Sequence, residues 1–238
     1  MKLVLIGHGK MGRLLEQSAA EQGDEILVAL GRDSLDKLSS LPVADMVIDF
    51  SRPETLDAVS AYIRRTGTPL LSGTTGYTPE QLDKLRALGD CAPVLYAANY
   101  SLGIAVFQRV LSQISDTLKP EFDIEIEETH HNQKTDAPSG TAKLLLSAID
   151  PTGEYTPVYG REGNTGIRPK KEIGVHALRG GTVAGTHTVH FFGLDEELEI
   201  THRAASRQIF VSGALYAARL LAGKPRGYYN LQNLLFGE

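Results

Sequence analysis

The sequence has little of what would mark several common protein classes. It holds one cysteine, Cys91, so no intrachain disulfide can form. It has no CxxC pair and no Cys/His grouping at zinc spacing, so a reducing, cytoplasmic setting and no metal are expected. Long hydrophobic runs are missing too: the apolar stretch at residues 3–6 stops at Gly7, well short of a signal-peptide core or the ~20 residues of a membrane span. No targeting segment and no membrane partner are expected. Positive charge is scarce, with 24 Lys and Arg against 29 Asp and Glu, a net of −5. That balance argues against nucleic acid as a partner and leaves any anionic ligand to a local basic pocket. Internal repeats and low-complexity segments are lacking. What is present, 42% hydrophobic and 22% charged residues over 238 positions, is the composition of a folded, soluble chain with one large or two modest domains.

The apolar pattern divides the chain. Residues 2–6 form a short buried run ending in glycine, Met11, Leu14, Leu15 and Ala19 recur at helical spacing, and residues 26–30 form a second apolar run. That is a βαβ unit. The rhythm continues with a strand at 46–48, a helix over 53–65, a strand at 70–71, a helix over 79–88 and a strand from 94. Such alternation implies a Rossmann-type, doubly wound parallel sheet in an α/β fold, because right-handed crossovers return each strand in the same direction. After residue 101 the pattern changes. A long helix over 104–118 precedes residues 122–129, where Phe122, Ile124 and Ile126 alternate with acidic residues, the signature of a sheet open on one face. A helix follows Pro138-Ser139-Gly140, residues 150–171 read as a loop rich in Gly, Pro and charge, and strands are expected over 173–178, 183–192 and 196–203. These make an α+β second domain with an open mixed, mainly antiparallel sheet. A last helix is expected over 211–221, stopped by Gly223-Lys224-Pro225.

Two segments carry chemistry. Gly7-His8-Gly9-Lys10-Met11-Gly12 is G-x-G-x-x-G between a strand and a helix, where glycines permit a tight turn, close approach of a pyrophosphate and close helix–strand packing, and the helix N-terminus supplies N–H donors. About 20 residues on, where a carboxylate usually takes the ribose hydroxyls, stand Gly31, Arg32 and Asp33. Without the acid at Gly31, Arg32 can pair with a 2′-phosphate, helped by Lys10, so NADPH is favoured with NADH tolerated; the alternative is that Asp33 takes the ribose. The second segment, residues 128–142, reads ETHHNQKTDAPSGTA. Its histidines can serve as a general acid near neutral pH, Lys134 can hold a carboxylate or offset developing negative charge, and Ser139-Gly140-Thr141 offer hydroxyls and N–H groups at a helix start. An acidic substrate is implied. A metal reading is the rival, but adjacent histidines on a strand face opposite ways and no third ligand has suitable spacing.

The run HHNQKTDAPSGTA resembles the signature of 4-hydroxy-tetrahydrodipicolinate reductases, approximately E-x-H-H-x-x-K-x-D-x-P-S-G-T. The resemblance extends to Gly73-Thr74-Thr75-Gly76, to Ala97-Ala98-Asn99-Tyr100-Ser101, to RGGTVAGTHTVHF at 179–191 and to ITHRAASRQIFVSGA at 200–214, and so covers nearly the whole chain. It implies NAD(P)H-dependent reduction of a small cyclic dicarboxylate with loss of water, in lysine and diaminopimelate biosynthesis. His130 is then the general acid, Lys134 contacts and polarises the substrate, and His131, Ser139, Gly140 and Thr141 hold its carboxylates. Gly7, His8, Gly9, Lys10, Met11 and Gly12, with Gly73, Thr74, Thr75, Ala97, Ala98, Asn99 and Tyr100, line the cofactor groove. The resemblance also implies a dinucleotide-binding domain of residues 1–101 and 212–238, and a substrate domain of residues 102–211 whose sheet builds a homotetramer. The glycine loop is one residue shorter than the common G-x-G-G-R-M-G form, Lys10 stands for its arginine, and Gly31 replaces the acid; all three bear on cofactor choice. Two other readings stay open: a Rossmann dehydrogenase for an amino-acid or semialdehyde substrate, and a redox sensor that binds NAD(P)H without chemistry.

Overall fold

A computed structural model describes residues 1–237. The chain forms two units, residues 1–101 with 208–237, and residues 102–207. The first is built on β1 (Lys2–Ile6), α1 (Lys10–Glu21), β2 (Glu25–Leu30), β3 (Met46–Asp49), α2 (Leu56–Thr66), β4 (Leu70–Ser72), α3 (Pro79–Ala87) and β5 (Pro93–Tyr96). The second contains α4 (Leu102–Leu118), β6 (Asp123–His130), α5 (Gly140–Ile149), β7 (Thr156–Val158), β8 (Glu172–Arg179), β9 (Gly185–Phe192) and β10 (Glu197–Ala204). The chain then returns to the first unit through α6 (Gln208–Ala222), β11 (Gly227–Tyr229) and α7 (Leu231–Phe236).

The six strands of the first unit are all parallel, in the order β11-β5-β4-β3-β1-β2. The inner strands are apolar on both faces because helices cover both: every residue of β3 and β4 is buried, and four of five in β1. Each fully buried Leu or Ile of this core is worth roughly 1.5–3 kcal/mol of transfer free energy. Local signals set the helix ends. Thr78 caps α3 by accepting from the Gln81 N–H, with Pro79 at the first position, and Gly67 closes α2 in the left-handed conformation at φ +69°. The tail strand β11, too short to show in the sequence pattern, pairs with β5 in register Tyr228↔Val94.

In the second unit the strand order is β10-β9-β6-β8-β7. Two of its pairings are antiparallel and two parallel, so the sheet is evenly mixed where the sequence pattern implied mainly antiparallel pairing. The cause lies in the stretch expected to be loop: β7 forms within residues 150–171 and pairs parallel to β8. The rest of that stretch is held by Arg161, which donates to Glu125 and Glu172, and by Arg168, which donates to Glu125 and Asp123. On the other face, Ile124 and Ile126 of β6, Val189 and Phe191 of β9 and Ile173 and Val175 of β8 pack with Ile104, Phe107 and Leu111 of α4 and Ala142, Leu145 and Ile149 of α5. A residue two beyond Ile126 on the same strand points to that face as well. That residue is Glu128, and two further on stands His130.

Candidate active site

In the first unit the glycine loop makes the tight turn and close packing that its spacing predicts. Gly7 adopts φ +96°, and a Cβ there would stand 2.4 Å from the Phe50 carbonyl oxygen. A Cβ on Gly12 would stand 1.8 Å from the Gly7 carbonyl oxygen, so α1 meets β1 at a distance only glycine allows. Beside this turn lies a groove of about 810 Å³ whose lining includes Gly7, His8, Gly9, Gly31, Arg32, Leu35, Phe50, Ser51, Arg52, Glu54 and Thr55. It lies at the carboxyl ends of β1, β2 and β3, the usual position for a dinucleotide on such a sheet. The turn without Cβ atoms, the start of α1 and two guanidinium groups suit the phosphates and adenosine end of NAD(P)H.

Of the residues expected to bind cofactor, this groove contains Gly7, His8, Gly9 and Arg32, while Asp33 is outside its lining. Arg52 is a second cation there that sequence reasoning missed. The Gly73–Thr75 segment is tied to the groove wall: the Ser51 N–H donates to Thr74 Oγ1 at 3.0 Å, and a Cβ on Gly73 would meet the Phe50 ring at 2.5 Å. In the 97–100 segment, the Ala97 N–H donates to the Ser72 carbonyl, Asn99 accepts from the Ser101 N–H, and Tyr100 is buried with its hydroxyl on the Ser72 carbonyl at 2.8 Å. Tyr100 therefore anchors this segment through its side chain. Asp49, at the end of β3, accepts from the Ser51 N–H and hydroxyl and from the Tyr77 hydroxyl. Burial pushes its carboxyl up to about 6 despite hydrogen bonds from Ser51, Thr74 and Tyr77.

In the second unit the signature residues gather around Glu128, which is completely buried. Arg179 of β8 donates to both carboxylate oxygens, at 2.8 and 3.0 Å, the Ser139 N–H donates at 3.0 Å, and His130 Nδ1 stands at 2.5 Å. Burial by itself would raise this carboxyl, but Arg179, His130 and the Ser139 N–H hold it below the usual range, so it is ionised. A carboxylate only accepts, so His130 Nδ1 carries the proton shared with Glu128 and Nε2 is the ring's second nitrogen. His130 is held below its ordinary value, by burial first and then by Lys134 and Arg179, against the opposing pull of Glu128. Lys134 pairs with Asp136 at 2.9 Å, and His131 stands just past the end of β6, its carbonyl accepting from the Lys134 N–H.

Ser139 caps α5: its hydroxyl accepts from the Ala142 N–H at 3.1 Å and stands 3.0 Å from His187 Nε2. Gly140 and Thr141 form the first turn of that helix, with Gly140 exposed. His187 of β9 lies edge-on to His130, ring centroids 5.1 Å apart, and is pushed down to about 4 by burial and by the nearby His130, His202 and Lys134. Glu128, His130 and His187 thus bring three potential metal-ligand atoms within 4.8 Å of one another, His187 being a third partner the sequence spacing did not reveal. Both Glu128 oxygens, however, already accept from a guanidinium, and the trio is a hydrogen-bond hub. The arrangement can present one imidazole nitrogen and a cationic amine beside a helix N-terminus, the parts needed to hold an anion and deliver a proton. No helix is long and apolar enough to cross a membrane, among the described residues.

Comparison with known proteins places the chain in a family and agrees with its fold. Residues 1–100 match the N-terminal and residues 103–235 the C-terminal part of dihydrodipicolinate reductase. A 4-hydroxy-tetrahydrodipicolinate reductase of Exiguobacterium sp. is 41% identical over 98% of this chain and 95% of its own length, and that of Clostridium tetani is 41% identical over 99% and 97%. Among solved structures, the dipicolinate-bound dihydrodipicolinate reductase from Paenisporosarcina sp. TG-14 superposes with a TM-score of 0.79 at 22% identity, covering 98% of both chains. The C. glutamicum DAP dehydrogenase shares the fold more loosely, at TM-score 0.58 and 14% identity over 100% of this chain and 96% of its own. With both halves of the family matched and relatives aligned over almost their whole length, this chain belongs to the dihydrodipicolinate reductase family of NAD(P)H-dependent oxidoreductases.

Proposed function

We propose that the chain reduces 4-hydroxy-tetrahydrodipicolinate to tetrahydrodipicolinate with loss of water, its family's step in lysine and diaminopimelate biosynthesis, with His130 as proton donor and Lys134 as the cation on the substrate. The reaction rests on family membership, and the residue roles rest on the surroundings of Glu128. The observation that carries the roles is the bond from His130 Nδ1 to a buried, ionised carboxylate, which commits that nitrogen and leaves Nε2 for the substrate. NAD(P)H, held by the first unit's glycine loop and Arg32, would supply hydride chemistry to C4 of the conjugated ring left after water departs. His130 then protonates the enamine. Lys134 offsets the negative charge that builds up on the ring, and His131 with the Ser139-Gly140-Thr141 turn takes the carboxylates at the start of α5. Gly7, Gly9, Gly12 and Arg32 hold the nucleotide, with the phosphate-seeking Arg32 favouring NADPH. We read the assembly as a cytoplasmic homotetramer built through the second-unit sheet; light scattering that returned an active monomer at micromolar concentration would reject the tetramer.

The test is loss of absorbance at 340 nm when purified protein is mixed with NADPH, or NADH, and freshly generated hydroxytetrahydrodipicolinate. Substrate-dependent oxidation is expected with both cofactors. His130→Gln should lower kcat by ~10²–10⁴-fold, the usual contribution of a positioned proton donor, with NADPH affinity unchanged. Lys134→Ala should cost a similar factor in kcat/KM. Variants that turn over near the wild-type rate would overturn the roles, and cofactor binding without oxidation would favour a sensor.

A further inference from the structure

We infer that Glu128 is a positioning residue: with Arg179 holding it ionised, it fixes the orientation and tautomer of His130 and, through the Ser139 N–H, locks the proton donor to the helix end that receives the substrate's carboxylate. This rests on the reading of His130 as proton donor.

Glu128 occupies a place in β6 where Ile124 and Ile126 predict another apolar residue, and an ionised carboxylate is costly there unless every lone pair is used. The structure uses them. Arg179 grips both oxygens and also donates to the Asp136 carbonyl at 2.8 Å, which ties the 131–138 loop carrying Lys134 to the same point. The two remaining bonds run to the proton donor and to the cap of α5. A single carboxylate therefore sets the spacing between the group that gives a proton and the N-terminus that binds an anion. Because a carboxylate cannot donate, the neutral imidazole must carry its proton on Nδ1, and the protonated ring must present its second proton on Nε2. The charged groups facing His130 are Glu128 of its own strand, Arg179 of β8, Lys134 of the following loop and, beside it, the imidazole of His187 from β9. Glu128 is the one anion among them. It offsets the two cations that would otherwise drive the proton off His130.

Glu128→Gln keeps the shape but gives His130 Nδ1 an amide donor to face, which disfavours the protonated ring and reverses the tautomer. In the full-length variant, the high-pH limb of the kcat profile should move to lower pH by about one unit or more, with roughly tenfold lower kcat at neutral pH. NADPH affinity, measured by fluorescence, should stay as in wild type, and Glu128→Asp should recover part of the shift. An unshifted limb beneath a lower kcat would mean a merely structural role and would overturn the proposal. Should Glu128→Gln fail to fold, the wild-type protein answers directly. In ¹⁵N-histidine spectra of the neutral form, with His130→Gln assigning the signal, His130 should carry its proton on Nδ1. An Nε2-protonated ring would sink the idea. The kcat limb reads His130 only as proton donor, a role that fails separately if His130→Gln is as active as wild type, whereas the histidine spectra test the positioning by Glu128 whatever gives the proton.

Discussion

Arg32 is the single side chain on which we propose that cofactor preference turns. It lines the nucleotide groove at the end of β2, next to a glycine standing where an acid would repel a 2′-phosphate, while Asp33 is outside the lining. A bidentate guanidinium–phosphate pair is one of the stronger polar contacts available to a protein, and NADH lacks the phosphate. Arg32→Ala should therefore lower kcat/KM with NADPH by about tenfold, the effect of losing ~1.4 kcal/mol of a charge-assisted bond, and leave the NADH value nearly unchanged. Equal losses with both cofactors would place Arg32 on the adenine or on the protein, and would give the phosphate to Arg52, the other arginine of the lining.

At the scale of single elements, α1 depends on one missing methyl group. With a Cβ on Gly12 only 1.8 Å from the Gly7 carbonyl oxygen, Gly12→Ala must push the helix off β1, and the N–H groups at its start move with it. Overpacking of this kind typically costs ~1–3 kcal/mol. We expect NADPH affinity to fall at least about tenfold with substrate-site residues unaffected, and unchanged affinity by fluorescence titration would show that the helix start does not set phosphate binding. This element was legible in the sequence because a strand, a glycine turn and a helix are local, and so were β1 to β5 and α5 with its Ser139 cap. The partners of Glu128 were less so. Arg179 is 51 residues away and His187 lies further along still, on β8 and β9, and only strand pairing brings Glu128 opposite Ala177 and His187. One local signal did exist: Ile124, Ile126, Glu128 and His130 share parity, so a strand that buries its isoleucines must also turn this acid inward. The parallel edge strand β7 was hidden because three residues are too few to display a period, and the arginines that hold the stretch after it look like surface charge until their acidic partners are in view.

For the molecule as a whole, two buried groups in different units should make stability respond to acid in opposite directions. Asp49 of the first unit has its carboxyl raised from 3.8 to about 6, so between those values the folded state binds more protons than the unfolded one. Its contribution to stability grows as pH falls through that window. His187 of the second unit is lowered from 6.5 to about 4, so there the unfolded chain binds more protons and stability is lost as pH falls from 6.5 toward 4. Going from pH 7 to pH 4.5, each effect amounts to about 2 kcal/mol by linkage, with opposite signs. The gain from Asp49 opposes the loss from His187, and His130 and His202, also held below 6.5, add to the loss in the second unit. Removing either group should unmask the other. Calorimetry at pH 7 and pH 4.5 should find Asp49→Asn more acid-sensitive than wild type, because the gain from Asp49 is gone, and His187→Gln less so, because a neutral amide can hold the Ser139 hydroxyl without a proton to gain. If both variants keep the wild-type difference between the two pH values, the burial of Asp49 and His187 is not what sets the molecule's response to acid. Shifts opposite to these would mean that the unfolded chain, not the folded one, holds the perturbed groups.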